Sequence, residues 1–180
     1  MTCTEYRSGY DSPLGVITLA SDGEALTGLW FDDPQPSPGM TDAAGTVLPV
    51  FGLTAKWLDL YFSGKEPDFT PPLKMAGTPF RKAVWEILLT IPYGRTMTYG
   101  EIAAVIAGRR KMPRMSAQAV GGAVGHNPVS LIVPCHRVIG AADALVGYGG
   151  GIGRKIRLLA LEGIDTGRLH LPQVKTRRGR

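Results

Sequence analysis

The most reactive pair of side chains in this 180-residue chain is Cys135 and His136, which are followed directly by Arg137. A thiolate is a soft nucleophile, and a neighbouring imidazole or guanidinium can lower the pKa of a thiol below its usual value of about 8.5. Glu162 closes a predicted helix, where a carboxylate opposes the helix dipole unless a group such as a histidine holds it. These residue types predict a relay in which Glu162 orients His136 and His136 deprotonates Cys135.

An unreactive interpretation of the same residues stays open at this point. A lone cysteine is more often a small core residue than a nucleophile, and a glutamate at a helix end is often simply exposed. The apolar run Val129–Val133 predicts a short strand that Pro134 ends. Adjacent side chains on a strand point to opposite faces, which would separate Cys135 from His136.

The elements that must position these residues are predicted by helix-start signals in the second half of the chain. A threonine or serine precedes an apolar stripe three times, at Thr78, Thr98 and Ser116. Pro79 suits the first helical position, and Thr98 forms a capping box with Glu101. The predicted helices end near Ile91, Gly108 and Val124, and a fourth runs over 154–161. A helix, a turn and a helix behind a supporting helix are typical of a helix-turn-helix module.

The third predicted helix is unusual for a DNA reader, because Gln118 is its only long polar side chain. Base-edge recognition in the major groove needs several such side chains. Small residues instead let a helix backbone approach a narrow groove, with the helix N-terminus near a phosphate. Packing of this helix against its own core is the alternative. A basic loop precedes it, with Arg109, Arg110, Lys111 and Arg114.

Charge is divided unequally between the two halves. Residues 1–76 carry ten acidic and four basic residues, a net charge of −6, whereas residues 77–180 carry 16 basic and five acidic residues, a net charge of +11. This asymmetry indicates a polyanionic partner for the second half. No apolar run approaches the roughly 20 residues of a spanning helix, so we expect no membrane association. Two cysteines without metal-ligand spacing predict no metal site and a reduced, cytoplasmic protein.

The first half is predicted to be a scaffold of the α+β class. Strands are expected at Tyr6–Tyr10, Val16–Ala20 and Leu26–Phe31, before a proline-rich loop with Pro34, Pro36 and Pro38. One amphipathic helix that ends near Ser63 and Gly64 follows, because its apolar residues recur at helical spacing: Leu53, Trp57, Leu60 and Tyr61. We predict an N-terminal domain over 1–76, which ends in a proline-containing linker. A mostly helical DNA-binding domain over 77–166 and a basic tail over 167–180 follow.

The segment Asn127–Gly140, with the sequence NPVSLIVPCHRVIG, resembles the active-site motif of O6-alkylguanine-DNA alkyltransferases. The match extends over roughly 78–163 and includes PYGRTMTYGEIA, AVGGAVG, GYGG and LLALEG. The first half is similar in outline to the N-terminal, ribonuclease-H-like domain of that family. The resemblance thus implies a small antiparallel sheet with a helix, followed by a helical helix-turn-helix domain that carries the reactive cysteine.

The resemblance also implies an activity. Family members move an alkyl group from O6 of guanine in double-stranded DNA onto their own cysteine, flip the base out of the duplex, and act once. No cofactor or metal is implied, and we expect a monomer; action on O4-alkylthymine stays open. By similarity, Cys135 accepts the alkyl group, His136 deprotonates it through a water, and Glu162 orients the histidine. Asn127 would hold the neighbouring turn, and Tyr99 would protonate the departing guanine.

The remaining site residues are likewise implied by resemblance. The substrate pocket would comprise Val124, Val138, Tyr148, Gly149, Gly150 and Lys155. DNA would be contacted by Tyr99, Arg114, Ser116, Ala117, Gln118, Ala119, Gly121 and Arg137. Gln118 stands where the family commonly carries an arginine that replaces the flipped base, and the loop over 108–115 is longer than in short members.

Three other functions remain to be tested against this one. A non-catalytic module that binds alkylated guanine and recruits repair proteins would keep the DNA-binding features. A regulator whose cysteine senses alkylation would need an additional activation domain, and a thiol hydrolase would need an acyl pocket and an oxyanion hole.

Overall fold

The computed structural model describes residues 5–32, 40–42 and 48–171. The predicted proline-rich loop, with Pro34, Pro36 and Pro38, and the part of the predicted basic tail from 172 onward lie outside these ranges.

The N-terminal part is a four-stranded sheet in the order β3-β2-β1-β4. Its strands are β1 (Glu5–Ser12), β2 (Gly15–Ser21), β3 (Leu26–Phe31) and β4 (Met40–Asp42). The first three pair antiparallel, which confirms the predicted small antiparallel sheet, and β4 adds a short parallel edge beside β1. The local pattern did not predict β4, because a three-residue parallel strand depends on a distant partner.

Helix α1 (Pro49–Phe62) follows the sheet and contacts β1 and β2. Trp57 and Tyr61 are buried as the spacing predicted, but Leu53 is 40% exposed and the core-facing stripe instead includes Thr54. The Thr54 hydroxyl donates to the carbonyl of Val50, which satisfies its polar atom inside the core. The buried face is therefore rotated slightly from the predicted one.

In the C-terminal part, up to residue 171, the structure describes four α-helices: α2 (Pro79–Leu88), α3 (Tyr99–Arg109), α4 (Ala117–Gly125) and α5 (Ile152–Leu161). The three predicted caps are confirmed, because the Thr78, Thr98 and Ser116 side chains each accept from the first turn of their helix. Helix α2 ends three residues before the predicted Ile91, which is buried in the turn that follows. Strands β5 (Met97–Thr98) and β6 (Val138–Ile139) pair in parallel beside these helices.

The predicted strand over Val129–Val133 is wrong. Val129 makes a single bridge with Leu29 of β3, and Leu131 then has a φ of 68°, which turns the chain away from an extended path. The residues are apolar because the loop is buried, and no ladder continues along it. Cys135–Arg137 form a 3₁₀ turn. Strand alternation therefore does not separate Cys135 from His136.

The two parts of the chain share one continuous core. The Leu29 N–H donates to the carbonyl of Pro128, and the Ser130 N–H donates to the carbonyl of Leu29, which attaches the loop before Cys135 to β3. Leu29, Trp85 and Val129 belong to the same buried cluster. The reactive segment is therefore positioned by both halves. No helix in the described part of the chain has the length and apolarity needed to cross a bilayer.

Candidate active site

A cavity of about 570 Å³ lies between the end of β3, helix α4 and the loop before α5. Cys135 forms part of its wall and is 7% exposed. The structure brings several predicted pocket residues to the same wall: Val124, Tyr148, Gly149 and Gly150. Tyr99, Gly121 and Asn127 line it as well. A nearly buried thiol that borders a cavity of this size can react with a group that enters the cavity.

The environment of Cys135 keeps the resting thiol protonated. Burial raises the pKa of the thiol above its ordinary value. Hydrogen bonds with the side chains of Asn127 and Ser130, and the charge of Lys155, oppose this rise without overcoming it. A reaction at this sulfur therefore requires a base to take the proton.

His136 is placed to serve as that base within a fully buried cluster. Its Nε2 lies 2.6 Å from Oε1 of Glu162 and 3.2 Å from the hydroxyl of Tyr61. Oε1 of the carboxylate can only accept, so Nε2 carries the hydrogen and Nδ1 keeps its lone pair. Nδ1 has no hydrogen-bond partner among the described residues. Burial lowers the pKa of His136 although Glu162 raises it, which leaves a neutral imidazole that can accept a proton.

Glu162 stays ionised at the centre of this cluster. Burial would raise the pKa of its carboxyl, but hydrogen bonds and charges from His136 and Arg137 bring the pKa down to about 2. The N–H of Gly94 donates to Oε2 at 3.1 Å. Gly94 has a φ of 71°, and a Cβ there would lie 3.0 Å from the Glu162 carbonyl, so a side chain would disturb this contact.

The predicted DNA contact of Arg137 is wrong. Its Nε donates to Oε2 of Glu162 at 2.8 Å, Nη2 donates to Oε1 at 3.2 Å, and Nη1 donates to the carbonyl of Ile91 at 2.6 Å. The residue is 8% exposed. Its guanidinium therefore neutralises the buried carboxylate and is not available to a phosphate.

Asn127 holds the loop before the cysteine, as predicted from resemblance. Its Nδ2 donates to the carbonyl of Val133 at 2.7 Å, and its Oδ1 accepts from the N–H of Val129 at 3.0 Å. These two bonds span the turn that replaces the predicted strand. The amide thus fixes the path that delivers the sulfur to the cavity.

Tyr99 lines the same cavity, at the start of α3. Its hydroxyl donates to the carbonyl of Val146 at 3.4 Å, a weak bond that a ligand can replace. Burial, followed by the nearby thiol, raises the pKa of this hydroxyl. It therefore remains protonated and can donate a hydrogen bond to a bound group.

Lys155 does not reach the cavity, which corrects the predicted substrate contact. It is fully buried, and its ammonium donates to the carbonyls of Val138, Val146 and Gly147. Burial lowers its pKa to about 8, while the thiol of Cys135 raises it. Lys155 thus ties the cavity loop to β6. Val138 also lies off the cavity wall, and its carbonyl accepts from Lys155, so the predicted contact of Val138 with the substrate stays a prediction.

Residues from the N-terminal sheet support the cavity wall. Arg154 donates to both carboxylate oxygens of Asp32 and to the carbonyls of Leu14 and Gly150. Its guanidinium lies 4.9 Å from the centre of the Phe31 ring. A Cβ on Gly150 would lie 2.7 Å from the Tyr148 ring and 3.2 Å from Phe31, so the wall has no room for a side chain there.

The residues of helix α4 are divided between the core and the surface, so core packing applies to one part of the helix and close approach to a groove can apply to the other. Val120, Ala123 and Val124 pack into the core, whereas Ala117, Gln118 and Ala119 are exposed at its N-terminal end. Ser116 and Arg114 are exposed beside them. The exposed face is small and adjoins the cavity through Gly121. Such a face can approach a nucleic-acid groove closely.

Sequence reasoning missed the contribution of the first half to this site. Tyr61 reaches the histidine-glutamate pair, and Trp30, Phe31 and Asp32 line the cavity. The helical spacing predicted that Tyr61 is buried, and a buried tyrosine usually finds a partner for its hydroxyl. That signal predicts a polar partner without identifying it.

Helices α3 and α4 form a helix-turn-helix beside a cavity with Cys135 in its wall, and His136 and Glu162 form a buried pair next to this cysteine. This combination is typical of a protein that acts on DNA through a reactive thiol. Sequence models of 6-O-methylguanine DNA methyltransferase match this chain twice, the ribonuclease-like domain at 6–75 and the DNA binding domain at 79–164. The chain belongs to this family.

Relatives of known name agree with this assignment. The methylated-DNA–protein-cysteine methyltransferase of Mycobacterium tuberculosis is 48% identical over 158 residues, which cover 87% of this chain and 91% of the relative. That of Haemophilus influenzae is 41% identical and covers 88% and 87%. The crystal structure of M. tuberculosis OGT in complex with DNA has a TM-score of 0.77 at 43% identity, over 91% of this chain and 94% of the other.

Proposed function

We propose that this protein repairs alkylated DNA by transferring an alkyl group from O6 of guanine to the sulfur of Cys135. The observation that supports this function best is the position of the thiol: it borders a cavity of about 570 Å³, in the turn that also carries His136. The same histidine is held neutral by burial and oriented by Glu162. Displacement at carbon requires a nucleophile and a base that removes its proton. Cys135 and the oriented His136 supply these two groups.

The chemical step transfers one carbon and balances its protons. His136 takes the thiol proton through a bridging water, and the sulfur attacks the alkyl carbon from the side opposite O6. The S–C bond forms as the C–O6 bond breaks, and the bonding electrons stay with the guanine. Tyr99 gives its proton to a ring nitrogen, so guanine departs neutral. The Tyr99 phenolate then regains a proton from water, and His136 releases the thiol proton to water, which restores both groups. The product is a thioether on Cys135, which no group in the cavity reverses, and each molecule therefore reacts once.

The substrate is double-stranded DNA that contains O6-alkylguanine. Because Cys135 is 7% exposed at the wall of a cavity, a guanine stacked in a duplex does not reach it, and the base must rotate out. The exposed small end of α4 suits the minor groove, and Arg114 and the neighbouring basic residues suit phosphates. Gln118 would hydrogen-bond the unpaired cytosine.

The setting follows from the same chemistry. A nucleophilic thiol must stay reduced, which fits the cytoplasm. The site is complete within one chain, which fits a monomer. We propose that the ribonuclease-like domain spans 1–76, the DNA-binding domain spans 77–166, and residues 167–180 form an auxiliary basic tail.

A non-catalytic module that binds damaged guanine is the second candidate, because it would use the same cavity and the same exposed helix. It would not need a nucleophile with a base behind it. The cluster of His136, Glu162 and Arg137 buries ionised groups at a cost that binding alone does not require. The transfer reaction is therefore favoured.

Intact-protein mass spectrometry decides between the two candidates. After incubation with a duplex oligonucleotide that contains O6-methylguanine, we expect one added methyl group that maps to Cys135. An unchanged mass with retained binding would favour the non-catalytic module. The variant Cys135→Ala serves as control: it should lose transfer and keep damage-dependent binding, because phosphate contacts do not involve the thiol.

A further inference from the structure

Tyr61 lies where the two halves of the molecule meet at the reactive site. It extends from α1, is fully buried, and donates its hydroxyl hydrogen to Oε1 of Glu162 at 2.7 Å. The same hydroxyl oxygen lies 3.2 Å from Nε2 of His136. One phenol therefore touches both members of the relay, although it is 75 and 101 residues away from them in the sequence.

The ring of Tyr61 is fixed by aromatic neighbours. It stacks on Trp57 with centroids 5.3 Å apart and meets Tyr93 and His136 edge to face at 6.1 and 6.2 Å. Burial, followed by the charge of Glu162, raises the pKa of the phenol far above its ordinary value. The hydroxyl therefore keeps its proton and cannot swing away from the pair.

The protons at this contact can be assigned from donors and acceptors. Tyr61 has one hydrogen and gives it to the carboxylate, so its oxygen presents a lone pair toward Nε2. If Nε2 carried no hydrogen, its own lone pair would point at the acceptor oxygens of Glu162 and Tyr61, which is unfavourable. A protonated Nε2 faces two acceptors and can share its hydrogen between them. The arrangement therefore excludes the Nδ1–H form of the neutral imidazole more firmly than the carboxylate does alone.

We propose that Tyr61 is a positioning residue for alkyl transfer, which holds His136 in the Nε2–H form so that Nδ1 keeps the lone pair that accepts the thiol proton. This inference rests on the proposed function. It assigns the ribonuclease-like part of the chain a direct role in the chemistry, in addition to its support of the cavity wall.

The charged and titratable groups around His136 come from four elements. They are Tyr61 on α1, Arg137 in the same 3₁₀ turn, Lys155 on α5, Glu162 at the end of α5, and Cys135 and Tyr148 on the side of the cavity. Tyr61 acts on the pKa of His136 mainly by sharing the negative charge of Glu162. Without the hydroxyl, that charge is less dispersed and attracts the imidazolium more strongly, so the pKa of His136 should rise.

The variant Tyr61→Phe tests the proposal, because it removes the hydroxyl and keeps the ring stack. We expect its single-turnover transfer rate at neutral pH to fall about tenfold, the size typical for loss of a hydrogen bond to a charged group. The fall in rate on acidification should begin at a higher pH than in the wild type. Tyr10→Phe is the matched control, since Tyr10 also donates to a carboxylate at 2.7 Å, that of Asp59, but on the exposed side of α1. It should leave rate and pH profile unchanged.

Nitrogen-15 NMR of the imidazole rings provides a readout that does not depend on activity. The wild type should show His136 with hydrogen on Nε2, and Tyr61→Phe should show a larger share of the Nδ1–H form, because Nε2 then has one acceptor instead of two. An Nδ1–H form in the wild type, an unchanged rate in the variant, or a slower rate with an unshifted pH profile would each overturn the proposal. If the wild type gained no methyl group, the proposed function would fail, whereas the NMR comparison would still decide the role of Tyr61.

Discussion

Replacement of Glu162 by glutamine tests the buried cluster behind the thiol. The carboxylate accepts from Tyr61, His136, Arg137 and the N–H of Gly94, with distances between 2.6 and 3.2 Å. Glutamine has nearly the same shape but offers one acceptor oxygen and one NH₂ donor. If the NH₂ group took the place of Oε2, it would face the N–H donors of Arg137 and Gly94. If it took the place of Oε1, it would face the N–H of His136.

The expected loss of stability follows from these contacts. Arg137 would remain buried without its counter-charge, and loss of one partner from a buried ion pair costs about 3–5 kcal/mol. At least one further donor would lose its acceptor, which costs about 1–3 kcal/mol. This cost is not added to the first, because Arg137 contributes to both. We therefore expect the free energy of unfolding to fall by about 3–5 kcal/mol in Glu162→Gln.

The expected effect on transfer is separate from stability. General-base catalysis contributes about 10²–10⁴-fold, and the variant keeps His136 but loses the charge that stabilises the imidazolium. We expect transfer to slow by about 10²-fold, the lower end of that range. The rate is measured by mass spectrometry after single turnover with an O6-methylguanine duplex, at a temperature where denaturant titration shows the variant to be folded.

Asp59→Asn is the matched control for this experiment. It also removes a carboxylate that accepts from a tyrosine at 2.7 Å, but on the exposed face of α1. Its stability should change by about 0.5 kcal/mol or less, and its transfer rate should stay the same. A Glu162→Gln protein that reacts within threefold of the wild type would refute the role of the carboxylate in the relay, and a destabilisation no larger than that of the control would refute the dependence of Arg137 on it.

Three further predictions concern acid stability, the cavity wall and base extrusion. Folding lowers the pKa of Glu162 from 4.5 to about 2, so its contribution to stability is complete above about pH 5 and is lost as the pH falls toward 2. Between pH 6 and pH 3, denaturant titrations should show a smaller drop in the free energy of unfolding for Glu162→Gln than for the wild type. Equal drops would contradict this. Asp32→Asn should loosen the wall held by Arg154 and change the ratio of benzyl to methyl transfer rates at constant fold, measured by mass spectrometry; an unchanged ratio would count against that support. Gln118→Arg should accelerate repair in duplex DNA more than in single strands, and equal acceleration would exclude a role for Gln118 in extrusion.

Local structure was predictable wherever a short stretch of sequence carried its own signal. The caps at Thr78, Thr98 and Ser116 formed as expected because each bond joins residues three positions apart. The segment Val129–Val133 shows the limit of this reasoning. Its apolar residues signalled burial, and burial in a loop gives the same pattern as burial in a strand.

The role of Arg137 could not be read from its position beside His136. A basic residue next to a reactive pair in a basic half suggests a phosphate contact, yet its guanidinium turns inward to Glu162. The partner is 25 residues away along the chain, and the direction of the side chain is set by the 3₁₀ turn that the sequence did not signal. The family resemblance pointed to Cys135 and His136, which lie in one 3₁₀ turn, but it did not predict the direction of the Arg137 side chain.

The sequence by itself determined the reactive pair, the helix boundaries to within a few residues, the uneven charge and the family, because these depend on residue type and on near neighbours. Tertiary structure alone decided which groups surround the thiol. It brought Asp32 from the acidic half to the cavity and Tyr61 to the buried pair of His136 and Glu162. It also placed the Lys155 ammonium against three backbone carbonyls and turned Arg137 inward. Contacts between residues that are far apart in the chain form only when the whole core closes, and no local pattern of side chains encodes them.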